Sequence, residues 1–207
     1  MTLSLLLLFF FAAPPKVSEQ FDQYIKQLES KPAPQPGATV EVKGGIIHDW
    51  TESVFIPGKR PENVIAVLQA YDRYAKIYPE VLESRILSRD KDRFKVYLKL
   101  QKTKVLTVEI ESEYEVEYHR QPDGSWRVSS KSTRMDEAGD TDHGFLWRLN
   151  AYWTISSERD GVTMRCRAIS LTRDIPVGLG WAVRPIIKEL PRESLRQTLE
   201  ATRQALR

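Results

Sequence analysis

The residues whose types could carry chemistry are few and scattered. His48, His119 and His143 lie far apart in the chain, and the one cysteine, Cys166, sits mid-strand, where buried packing is its default role. Asp140, Asp142 and His143 lie close enough together to approach a cation, and Asp142 with His143 could serve as an acid–base pair at a cavity mouth. That segment is short and reads more simply as a turn, so no metal site is assigned to it. No Gly-x-Ser-x-Gly elbow and no Walker loop occurs. Gly178-Leu-Gly180 lacks the third glycine and the preceding strand of a dinucleotide fingerprint. The sequence therefore nominates no catalytic residue, no cofactor and no metal.

Polar residues that must face inward are the more informative chemistry. Between Glu109 and Glu117 every odd position is glutamate, while Val108, Ile110, Ser112, Tyr114, Val116 and Tyr118 occupy the even ones. Such alternation predicts a long strand with one acidic solvent face and one mostly apolar inner face. Lys95 and Lys99 on the preceding strand and Arg127 and Lys131 on the following one would offset the acidic row. The opposite parity of that following strand places Val128, Ser130, Ser132 and Arg134 on the inner face beside Ser112. Buried hydroxyls and a guanidinium need partners, because leaving a neutral group unpaired costs about 1–3 kcal/mol and a charge more. They either satisfy one another or meet the polar end of a ligand, with Arg134 the favoured head-group contact.

The elements that would position these residues follow from periodicity. Residues 1–15 contain an apolar run, Leu5 to Phe11, ending in Ala12-Ala13-Pro14-Pro15, and read as a signal-like or anchor segment. The expected location is secreted, periplasmic or membrane-tethered. Residues 16–43 read as an amphipathic helix, with Val17, Phe21, Tyr24, Ile25 and Leu28 on one face, followed by a proline-rich linker. Residues 44–207 read as the folded domain. It opens with a strand over Ile46 to Ile56, then a helix begun by Pro61, then an aromatic-rich segment from Asp72 to Pro79. Antiparallel strands follow. Phe145, Trp147, Leu149, Ala151, Trp153 and Ile155 share one parity, and an Asp160-Gly161 turn leads to Val162, Met164, Cys166, Ala168 and Ser170. Trp181 to Leu206 is expected to be a long helix, with a kink near Pro191. Its basic residues, among them Arg192, Arg196 and Arg203, suit solvent or peripheral membrane contact. The chain carries 31 basic and 28 acidic residues, a surplus too small and too dispersed to suggest a nucleic-acid partner.

This element order resembles the START-like superfamily, also called the polyketide cyclase/dehydrase and lipid-transport group. Three stretches carry the resemblance: Tyr71-Asp-Arg-Tyr with Ile77-Tyr-Pro79, Ile169 to Pro176, and Gly178 to Pro185. It implies an α+β helix-grip fold, a curved antiparallel sheet of about 6–7 strands around the long C-terminal helix, with a hydrophobic tunnel between them. Leu98, Ile110, Tyr114, Trp147, Trp153, Met164, Ala168 and Trp181 would form the apolar wall of that tunnel. Ser112, Ser130, Ser132 and Arg134 would form its polar end. The partner would be a hydrophobic small molecule or lipid, bound or transferred. A cyclase or aromatase using the same pocket and a non-binding scaffold with a filled core are the alternative readings.

Overall fold

Among the described residues, alternating apolar and polar side chains build an antiparallel sheet of eight strands. The structure is a computed structural model, and it describes residues 15–30, 37–103, 107–137, 145–174 and 180–207. The strands are β1 (Ala38–Val42), β2 (Gly45–Pro57), β3 (Val81–Asp90), β4 (Arg93–Thr103), β5 (Thr107–Arg120), β6 (Trp126–Glu137), β7 (Leu146–Glu158) and β8 (Gly161–Arg173). Their order across the sheet is β1-β2-β8-β7-β6-β5-β4-β3, so β2 crosses over to join β8 and the sheet stays open between β1 and β3. The sheet curves, and the architecture is the α+β helix grip that the sequence predicts. It has one strand more than expected, since β1 falls where the sequence reads as linker.

Helices cover both faces. The inner face takes α2 (Pro61–Leu68), a 3-10 turn at Tyr71–Arg73, α3 (Tyr74–Ile77) and the long α4 (Gly180–Ala205). Pro61 starts α2, and the Asn63 side chain accepts a hydrogen bond of 2.9 Å from the Arg60 amide, closing its first turn. α4 lies mainly against β2 and is assigned as one helix through Pro191. Glu52 on β2 clamps it, accepting from Arg192 at 2.7 Å and Arg196 at 3.2 Å. These two arginines are thus committed within the fold. Beneath the helices lies the main core, with Ile56, Val64, Phe94, Val116, Ile155, Val162, Met164 and Leu199 all nearly inaccessible.

The outer face is covered by α1 (Pro15–Ser30), whose Val17, Phe21 and Ile25 pack on Ile47, Ile169 and Leu171. A polar lock sits beside this cluster. Asp49, 1% exposed, accepts from Arg167 at 2.7 and 2.5 Å and from the Tyr24 hydroxyl at 2.8 Å. The bidentate geometry suits a guanidinium facing a carboxylate. It explains how a charge is tolerated under the helix.

Two bulges decide which side chains face inward. On β6, Ser132 pairs with Tyr114 while Arg134 pairs with Glu113, so Thr133 is the extra residue. On β7, Leu146 pairs with Thr172 and Arg148 with Leu171, leaving Trp147 as the extra one. An inserted residue reverses the alternation beyond it. Arg134 therefore lies on the outer face, half exposed, with its guanidinium on Glu113 at 3.6 Å and Asp136 at 2.5 Å. Trp147 likewise leaves the inner face and packs with the α1 cluster, while neighbouring Arg148 stacks over Phe21. The inward placement expected for both residues is corrected. The acidic row of β5 is offset largely as the alternation implies, with Lys95 on Glu113 at 3.0 Å and Lys99 on Glu109 at 2.9 Å.

Candidate functional site

Between the inner face of the sheet and α4 lies a cavity of about 380 Å³. That falls within the range of small-molecule sites, about 300–1,000 Å³. Its wall comes from nearly every inner element. β4 and β5 give Leu98, Leu100, Ile110, Tyr114 and Val116; β6 and β7 give Ser130, Leu149, Ala151 and Trp153; β8 gives Cys166, Ala168 and Ser170. Leu190, Pro191, Ser194, Leu195 and Thr198 of α4 form the lid. The small residues explain why space remains. Ala151 and Ala168 face each other across β7 and β8, and large side chains stand around them without filling the gap.

Of the residues nominated from sequence, Leu98, Ile110, Tyr114, Ser130, Trp153 and Ala168 line the cavity. Met164 is completely buried in the core beside it, off the wall. Ser112 and Ser132 are buried and committed to backbone. The Ser112 hydroxyl donates to the Leu98 carbonyl at 2.9 Å. Ser132 accepts from the Leu149 amide at 2.9 Å, where the β6–β7 ladder has ended. Both are internal ties within the sheet and neither faces the cavity, which corrects their placement at its polar end. Trp181 falls in the first turn of α4, and its side chain lies outside the described residues, as do Asp140, Asp142, His143 and the leader.

The sequence reading missed the end of the cavity under α2. Tyr71, Tyr74 and Tyr118 all line it, and their hydroxyls converge on the carbonyl of Leu68. Leu68 ends α2, so its carbonyl has no amide in the next helical turn to satisfy it. Tyr118 donates to it at 2.8 Å and Tyr74 at 2.5 Å. The Tyr71 and Tyr118 hydroxyls lie 2.8 Å apart and share a hydrogen bond, and Tyr71 also shares one with Tyr74. Burial pushes Tyr71 up to about 12 and raises Tyr74 and Tyr118 well above the ordinary phenol value. All three are thus neutral near pH 7. Tyr71, Tyr74 and Tyr78 recur at helical spacing, a signal in the sequence that strand parity passed over.

The other end is polar and reaches solvent. Lys102 pairs with Glu80 and donates to Gln197 at 3.1 Å, and Ser194 donates to Glu80 at 3.3 Å. These contacts tie α4 to the open end of the β3–β4 hairpin, where β3 begins and β4 ends. Cys166 on the wall is wholly buried, and burial raises its thiol well above the ordinary value, so it has little thiolate character. Among the described residues no cluster of metal-ligating side chains occurs.

Solved structures with this arrangement are numerous. A STAR-related lipid transfer protein from Xanthomonas axonopodis superposes with a TM-score of 0.59 at 19% identity, covering 82% of this chain and 97% of its own. The chain has the START-like helix-grip fold. The Zhui aromatase/cyclase from a Streptomyces species gives 0.59 at 11% identity over 77% of this chain and 93% of that one. Human STARD10 gives 0.56 at 12% identity over 92% and 80%. No family model matches this chain in sequence, and no curated protein matches it.

Proposed function

We propose that this protein binds a hydrophobic small molecule, lipid-like, polyketide-like or isoprenoid, between the sheet and α4, and carries or transfers it. One observation carries the reading: a cavity of about 380 Å³ with mainly aliphatic and aromatic walls, polar at the rim near Lys102. A void of that size in a filled scaffold would forfeit packing on every side, roughly 24 cal/mol for each Å³, and a ligand would restore those contacts. Similarity of fold to proteins titled as lipid-transfer and aromatase/cyclase proteins supports an occupant of this class. An enzymatic reading would need an acid or base facing the ligand. Glu80 is paired with Lys102 at the rim, and burial weakens the cavity tyrosines as acids. The apolar run Leu5 to Phe11 supports placing this activity in the cell envelope, and fractionation of the host cell tests that placement. The binding test is native mass spectrometry of protein gently purified from its own host, followed by organic extraction. A reproducible adduct that extracts into organic solvent is expected. Repeated recovery of ligand-free protein that also fails to take up added apolar compounds would overturn the proposal.

A further inference from the structure

Most polar groups on the cavity wall are already engaged by the fold. Tyr71, Tyr74 and Tyr118 bond among themselves and to the Leu68 carbonyl, and Tyr114 is tied to Ser112. Thr198 donates to the Ser194 carbonyl at 2.9 Å, Thr172 meets His48 at 3.0 Å, and Gln101 donates to Glu109 at 2.9 Å. Among the described residues, two hydroxyls on the wall have no such partner, those of Ser130 on β6 and Ser170 on β8. Both face inward. Ser130 shares the parity of buried Val128, and Ser170 that of Cys166, while Ile169 and Leu171 between them pack under α1. Ser170 is only 5% exposed, yet its oxygen is not sealed within the protein, so the access it keeps is to the cavity. The indole N–H of Trp153, on the same wall, also bonds to no described group.

We infer that Ser130 and Ser170 select a ligand whose apolar body carries neutral acceptor oxygens, carbonyls above all, along its length. The inference rests on the proposed function and deepens it by naming specificity residues and the groups they meet. The two serines flank the alanine floor of the cavity. Ser130 pairs with Ala151, Ala151 with Ala168, and Ser170 lies two residues beyond Ala168 on β8. Two strand spacings and two residue rises put their backbone positions about 12 Å apart. One carbonyl therefore reaches one serine, and a ligand that satisfies both carries two oxygens separated by several carbons. A serine hydroxyl can donate or accept, whereas an indole can only donate, so an acceptor suits every unspent group on this wall. A plain hydrocarbon would displace water from both hydroxyls and return no hydrogen bond. An ionised group at this depth would meet no counter-charge, because the charged pair on the lining, Glu80 with Lys102, stands at the rim.

The test uses benzophenone and diphenylmethane, which keeps both rings and has a methylene in place of the carbonyl. The two probes differ in their own hydrophobicity, so each is compared between the wild type and Ser130→Ala/Ser170→Ala. Calorimetric titration of the full chain should show benzophenone binding the double variant roughly three- to tenfold more weakly, the value of one hydrogen bond in a buried site. Diphenylmethane should bind both proteins equally, or the variant more tightly. Equal benzophenone affinity in the two proteins, or an equal loss for both probes, would overturn the inference while leaving the binding function standing. Failure of the wild type to take up either probe would overturn the binding function and the inference with it. A wild-type measurement covers the case in which the variant does not fold. The carbonyl stretch of bound benzophenone should lie below its frequency in hexane, with nuclear Overhauser contacts from its rings to the β protons of Ser130 or Ser170. A stretch at the hexane frequency, or contacts confined to the tyrosines under α2, would overturn the inference.

Discussion

Replacing Asp49 with alanine should release α1 from the sheet and cost the protein much of its stability. The carboxylate is 1% exposed and accepts two bonds from Arg167 and one from Tyr24. Removing it strands a guanidinium whose side chain is only 18% exposed. Breaking a buried pair by deleting one partner costs about 3–5 kcal/mol. Arg167 keeps some access to water, which places the expected loss near the lower end, about 3 kcal/mol. For a chain of this size each kcal/mol moves the midpoint by about 2–4 °C, so melting should fall by about 6–12 °C. Thermal and urea unfolding followed by circular dichroism measure the loss, and hydrogen exchange should show α1 amides losing protection before those of β5. Asp49→Leu combined with Arg167→Met should recover most of the stability, because the charge would no longer be stranded. A loss below about 1 kcal/mol, or a double variant no better than Asp49→Ala, would refute the reasoning that this pair is buried and fastens the helix.

Two further outcomes follow from the same geometry. Burial raises Tyr71, Tyr78 and Tyr114 to about 12, above the value of about 10 in an unfolded chain. Their contribution to stability is complete below pH 10 and is lost as pH rises toward 12; ultraviolet titration of tyrosinate should show these groups ionising only with unfolding. Glu52 is held below the ordinary glutamate range, chiefly by its hydrogen bond to Arg192. Its contribution is present above that range and lost as pH falls from there through the lowered folded-state value, so Glu52→Gln should cost about 1 kcal/mol at pH 7, after allowing for solvent screening, and progressively less as the pH falls below the ordinary glutamate range, as urea titrations across that span would show.

Much of the architecture was legible because strand alternation and helical spacing are dictated by burial. The β5 pattern, glutamate out and Tyr114, Val116 and Tyr118 in, placed the sheet faces and three cavity elements correctly. Alternation could not reveal a single inserted residue. Thr133 and Trp147 look like ordinary members of their strands, yet the first turns over the side chains after it on β6, and the second is itself put outward while Leu149, Ala151 and Trp153 keep the expected face. That is why Arg134, counted along β6, emerges on the acidic face, and why Trp147 packs beneath α1. Ser132 lies before its bulge and faces inward, but the end of the β6–β7 ladder claims its oxygen, a tertiary demand that no local pattern carries. The tyrosine end was hidden for a different reason. Tyr71 and Tyr74 follow a helix whose last carbonyl needs donors, and Tyr118 arrives from 44 residues beyond Tyr74 to supply one. β1 was hidden by its brevity and by the prolines before it.

The central claim, that the space under α4 holds an apolar ligand, is tested most directly by filling it. Ala168 lies on the cavity wall opposite Ala151, and Ala168→Phe would place a ring in the open volume. Titration of N-phenyl-1-naphthylamine, a neutral apolar fluorophore, into wild type and variant is the measurement. Saturable enhancement is expected with the wild type, and at least a tenfold weaker response from a folded Ala168→Phe protein. No saturable binding by the wild type, or equal binding by both, would contradict it.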